Sequence, residues 1–69
     1  MNDFLESLKL DYEAQIKKAE ANIKIYMKNP AGIGEHPDIM GAIEEELAKA
    51  AEFDEKLKLL EEICREHGW

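Results

Sequence analysis

The chain has a single cysteine, Cys64, in 69 residues, so no internal disulfide framework can hold this short protein together. A lone thiol also fits a reducing compartment, and the cytoplasm is the expected location. No apolar run approaches the roughly 18 residues that a membrane span requires, and no basic segment leads into an apolar stretch near Met1, so neither a bilayer helix nor a signal peptide is expected. Beginning with Met1, the sequence reads as a complete small protein. Aromatics make up only 7% of it against 36% charged residues, a balance that suits solvated helices more than a large core. A chain of this length buries only about 60% of its unfolded surface, so core stability alone is marginal and self-association is the expected remedy.

Proline and glycine are scarce as well, and their placement organises the whole chain. Both prolines and two of the four glycines fall in the stretch NPAGIGEHPD, Asn29 to Asp38. No helix or central strand tolerates that density, so the stretch reads as a hinge between two long helical segments. The expected fold is all-α: an antiparallel two-helix hairpin in one domain, with a helix over 2–28, a hinge over 29–36 and a helix over 37–66.

In the first segment Leu5, Leu8, Tyr12, Ile16, Ala19, Ile23 and Tyr26 recur at steps of three and four, which places them on one helical stripe. Two successive four-residue steps from Leu8 to Ile16 predict a stutter relative to a strict heptad. Asn2 or Asp3 suits the cap, Glu6 faces the positive end of the helix dipole, and Glu13 to Lys17 and Glu20 to Lys24 have the favourable i to i+4 order. In the second segment Ile39, Ile43, Leu47, Ala50, Phe53, Leu57, Leu60 and Cys64 form the stripe. Pro37 suits the first helical position, after His36, and Gly68 suits a left-handed C-terminal cap onto which Trp69 can fold back. Gly41, in an early turn, suggests a close backbone approach.

Charge is split unevenly. Five acids balance five lysines before Pro30, and all of the net charge of −7 lies beyond the turn, where eleven acids face four bases. Such a surface repels phosphate backbones and anionic lipid, so neither nucleic acid nor membrane is expected as a partner.

Candidate chemistry is thin. Cys64 and His67 have the i, i+3 spacing of metal ligands, yet structural zinc takes four, and with one cysteine and two histidines the thiol reads as a small buried apolar residue. His36 beside Glu35 and Asp38 imitates an acid–base cluster, but a two-helix protein has no pocket to tune it, so a turn-stabilising role fits better. Gly32-Ile33-Gly34 has no preceding strand and no following Gly-Lys-Ser/Thr, so it is no phosphate loop; its glycines supply positive φ angles, and Ile33 plugs the open end of the hairpin or meets a partner. No enzyme activity, cofactor or metal is expected. The hinge set is therefore Pro30, Gly32, Ile33, Gly34, His36 and Pro37.

The segment YMKNPAGIGEHPDIMGAIEEEL, Tyr26 to Leu47, resembles an Asn-Pro-x-Gly-Ile-Gly-Glu-His-Pro-Asp pattern in small proteins of tailed bacteriophages, marine ones in particular. It covers about a third of the chain. The resemblance assigns no residue a role. It implies a setting: a viral accessory protein in a bacterial host cytoplasm, or a component of the virion.

Two functional expectations follow. Each stripe is wider than one neighbouring helix covers, leaving Phe4, Ile25, Met27, Met40, Leu59 and Ile63 uncovered in a lone hairpin, so the first is a non-enzymatic protein that self-associates or docks on another protein. A symmetric dimer completing a four-helix bundle is the leading form, with Leu5, Leu8, Tyr12, Ile16, Ile23, Tyr26, Ile43, Leu47, Phe53, Leu57 and Leu60 as interface candidates. The second is an inhibitor that presents its acidic second helix to a basic host protein such as a nucleic-acid-binding factor.

Overall fold

A computed structural model describes residues 1–28 and 38–69, and every hinge candidate from Pro30 to Pro37 lies outside that description. The described residues form two helices, α1 (Asp3–Lys28) and α2 (Ile39–His67), packed along their length as a hairpin. At 1.5 Å per residue they are about 39 and 44 Å long, and the molecule measures 49 × 16 × 15 Å, so the helices overlap almost fully side by side. The ten peptide steps from Lys28 to Asp38 reach at most about 36 Å, too short to return along a helix, so the pair is antiparallel.

Local chemistry sets the ends. Asn2 caps α1: its side-chain oxygen accepts the Leu5 N–H at 3.0 Å and its carbonyl accepts the Glu6 N–H at 2.9 Å. Asp38 caps α2 by accepting the Gly41 N–H at 2.8 Å. The second helix thus begins two residues later than the Pro37 start expected from sequence, because a capping residue must itself be non-helical and the Asp38 carboxylate satisfies an amide of the first turn. At the other end Gly68 takes the left-handed conformation, φ 70°, and the Trp69 N–H reaches back to the Cys64 carbonyl at 2.9 Å, a Schellman ending.

The Tyr12 and Phe53 rings meet with centroids 5.9 Å apart, which fixes the register. Moving along both helices from that pair, Leu5 lies level with Leu60, Ala19 with Glu46 and Tyr26 with Ile39. The inward rows are Leu5, Lys9, Tyr12, Ile16, Ala19, Ile23 and Tyr26 on α1, and Ile39, Ile43, Glu46, Ala50, Phe53, Leu57, Leu60 and Cys64 on α2, all buried or half-buried. Both alternate three- and four-residue steps without interruption, the repeat of a coiled coil.

This corrects the expected stripes at two places. Glu46 is only 8% exposed, whereas Leu47 is 58% exposed. Each four-residue step rotates about 40° around a helix, so the series Ile39, Ile43, Leu47 walks off the seam while Glu46 stays on it. Likewise Leu8 is exposed and Lys9 half-buried, and the expected stutter is absent. Lysine fills such a position with its methylene stem while its ammonium reaches water.

Candidate interaction surface

Nine of the eleven interface candidates, Leu5, Tyr12, Ile16, Ile23, Tyr26, Ile43, Phe53, Leu57 and Leu60, lie half-buried in the seam between α1 and α2. They hold the hairpin together. Leu8 and Leu47 instead face outward, one beside each edge of the seam.

The seam is thin. Among the described residues its buried apolar members are Ala19, 2% exposed, and Cys64, 6% exposed. Opposite Ala19, the methyl group leaves room for the Glu46 side chain, whose carboxylate reaches the Lys49 ammonium at 3.4 Å. Cys64 is reduced and buried, as expected of a small apolar residue. His67 is exposed and stacks on Trp69, centroids 4.6 Å apart, and among the described residues no three His, Cys, Asp or Glu side chains converge on a point that holds a metal ion.

Heptad positions sort the outer residues into two flanks. In an antiparallel pair the same edge of each heptad falls on the same side, because reversing a helix reverses its sense of rotation. One flank carries Met1, Phe4, Leu8, Asp11, Gln15, Lys18, Asn22 and Ile25 from α1's side, and Glu66, Ile63, Leu59, Lys56, Glu52, Lys49, Glu45 and Ala42 from α2's, in order from the termini toward the hinge. We call it the first flank. The second carries Asp3, Glu6, Leu10, Glu13, Lys17, Glu20, Lys24 and Met27, and Arg65, Glu61, Lys58, Asp54, Ala51, Leu47, Glu44 and Met40. Phe4, Ile25, Met27, Met40, Leu59 and Ile63 are all exposed, and Leu10 and Trp69 join them.

Ion pairs run within each helix. Lys56 reaches Glu52 at 3.4 Å and also lies 5.2 Å from the Phe53 ring centroid. Lys58 donates to Asp54 at 2.9 Å, and that hydrogen bond, followed by the carboxylate's charge, holds the ammonium above its ordinary pKa. Lys17 reaches Glu20 at 3.6 Å where Glu13 was expected as its partner; both choices are exposed, and such pairs differ by only tenths of a kcal/mol. No helix among the described residues is long and apolar enough to cross a membrane.

No protein-family model, curated protein or solved structure matches the chain.

Proposed function

We propose that this chain is a non-enzymatic helical association module whose hairpins pair into a four-helix bundle. The observation that carries the reading is surplus surface. The hairpin exposes 5436 Å², whereas a globular monomer of this mass exposes about 4400 Å². The excess of roughly 1000 Å² compares with the ~800 Å² that each partner contributes to a standard protein interface. Its radius of gyration, 15.5 Å, likewise exceeds the ~11 Å of a compact chain of this length. Apolar residues supply much of that surface: Phe4 is 82% exposed and Met40 83%.

Light scattering coupled to size exclusion tests the reading. A mass of two chains, unchanged between low and high salt, is the expected result. A monomer throughout the accessible concentration range overturns it. The second reading, docking of an acidic helix on a basic partner, draws on the exposed Glu44, Glu45, Glu52, Glu55, Glu61, Glu62 and Glu66 of α2; binding of that kind weakens steeply with salt, which separates it from apolar pairing. The phage-like hinge pattern adds a proposed setting, an accessory or structural component in a host cytoplasm or a virion.

A further inference from the structure

We infer that the second copy docks on the outer face of α1, the side turned away from α2, giving a flattened four-helix bundle with the two α1 helices antiparallel at its centre and the two α2 helices outermost. The inference rests on the self-association reading and names the face. Taken whole, α1 is neutral, but it is polarised along its length. Up to Ile16, Asp3, Glu6, Asp11 and Glu13 oppose only Lys9; beyond it, Lys17, Lys18, Lys24 and Lys28 oppose only Glu20. By contrast α2 is acidic in both halves. A two-fold axis across α1 lays the acidic half of one α1 on the basic half of the other. It also keeps the two α2 helices about three interaxial spacings, ~24–30 Å, apart. That exceeds the ~10 Å over which exposed charges act through salt, so two chains of net charge −7 meet through their one neutral helix.

Individual side chains agree with this charge pattern in one register, with the axis at Ala14. Along one edge of the face Asp11 meets the partner's Lys18 and Phe4 meets the partner's Ile25. Along the other Asp3 meets the partner's Lys24, and Leu10 lies on the methylene stem of the partner's Lys17. Symmetry makes each contact twice. Among the described residues Asp3, Asp11, Lys18 and Lys24 form no ion pair inside the hairpin, so these four charges are left for a second copy. Between the edges run the exposed Ser7, Ala14 and Ala21, small enough for close approach, and the Ser7 hydroxyl already donates to the Asp3 carbonyl at 2.8 Å. Moving the axis one heptad either way sets Asp11 against the partner's Asp11 or Lys18 against the partner's Lys18. On the outer face of α2 the same operation joins carboxylates in every register. An axis at Ala48 sets Glu45 against the partner's Glu52, an axis at Glu55 sets that residue against the partner's Glu55, and one midway sets Glu52 against the partner's Glu52. Rolling the contact toward either flank brings α2 against the partner's α2. Charge pattern thus selects the helix, its direction and its register.

Solution mass and the dimer dissociation constant test the face, with far-ultraviolet circular dichroism reporting helicity. Asp11→Lys and Lys18→Asp each turn two attractions into two repulsions and are expected to weaken the dimer about tenfold or more, and the double variant to return to within about threefold of the parent. No charged residue lies three or four positions from either on α1, so the swap leaves pairs within the helix undisturbed. Leu59→Glu, at an exposed leucine of α2, is expected to change the constant less than about threefold. A second arm reads position in place of affinity. Ala14→Cys faces its own copy across the axis and is expected to cross-link into a disulfide dimer on air oxidation, whereas Ala48→Cys, exposed on the outer face of α2, is not. The buried Cys64 stays in place in both, and the parent is the control. A dimer indifferent to Asp11→Lys, a swap without recovery, or cross-linking by Ala48→Cys in preference to Ala14→Cys overturns this face and leaves self-association standing. A monomeric parent protein overturns both.

Discussion

The level of Tyr12 and Phe53 and the level of Ala19 and Glu46 lie two helical turns apart in one seam, yet they hold the helices together by opposite means. At the first, two aromatic rings fill the gap between the backbones. At the second, a methyl group and the stem of a glutamate fill it, and the carboxylate escapes toward Lys49 at the edge. The comparison teaches that the seam follows the seven-residue register before it follows hydropathy: a charged side chain with a long stem is accepted where the register demands a residue, and a leucine one position away is left in water.

The largest expected effect breaks the aromatic level. Phe53→Ala removes the ring that meets Tyr12 and also the face over which Lys56 lies. Truncating a buried phenylalanine costs about 3–5 kcal/mol, and because Phe53 is half-buried a loss of about 3 kcal/mol is expected. At about 4–8 °C per kcal/mol for a domain of this size, the thermal midpoint falls by well over 10 °C. Thermal unfolding followed by circular dichroism at one fixed protein concentration checks it, since coupled assembly makes the midpoint concentration-dependent. A drop under about 4 °C contradicts the aromatic pair's place as the main anchor.

The second effect has the opposite sign. Glu46→Leu converts the polar level into an apolar one, removing the cost of desolvating a carboxylate that is repaid only by Lys49 at the rim. A gain of about 1–2 kcal/mol is expected, raising the midpoint by roughly 4–16 °C. Urea denaturation, with the midpoint shifting and the slope unchanged, gives the same free energy independently. A loss of stability instead assigns the glutamate a larger part in holding the register than its single partner indicates.

Most of the architecture is legible in the sequence, and the reasons are local. The clustering of Pro30, Gly32, Gly34 and Pro37 divides the chain, and three- and four-residue spacing on either side leaves only helices. Asn2 and Gly68 take the cap positions their chemistry suits. What stayed hidden turns on choices between adjacent residues. Leu8 against Lys9, and Leu47 against Glu46, are decided by the partner helix, and a hydropathy reading picks the leucine both times. The two flanks were hidden for the same reason, because the residues that share a side emerge only once Tyr12 is seen to face Phe53.

Smaller effects probe where α2 begins. Asp38→Ala deletes the acceptor of the Gly41 N–H and leaves a first-turn amide to water alone. An N-cap of this kind contributes about 1 kcal/mol, so the midpoint is expected to fall by about 4–8 °C. Asp38→Asn, which keeps the acceptor, is expected to hold stability within about 0.5 kcal/mol of the parent. Equal losses in both variants would locate the contribution in the aspartate's charge against the helix dipole.

Gly41→Ala carries the smallest expected effect and the sharpest reading. Alanine exceeds glycine in helix propensity by about 1 kcal/mol, and in most exposed helical turns that gain appears directly. At Gly41 a Cβ would clash with the Asp38 carboxylate, closer than van der Waals contact allows to both its carbon and its oxygens. The side chain is short, so making space for the methyl group turns the carboxylate away from the amide it caps, and a cap is itself worth about 1 kcal/mol. The two changes offset, and Gly41→Ala is expected to leave the midpoint within about 4 °C of the parent. In the Asp38→Ala background the obstruction is gone, and there the same Gly41→Ala substitution is expected to stabilise by the full ~1 kcal/mol. A double-mutant cycle measures that difference. If Gly41→Ala stabilises equally in both backgrounds, the glycine is indifferent to the cap, and the Asp38 side chain has room to move aside without losing its hydrogen bond.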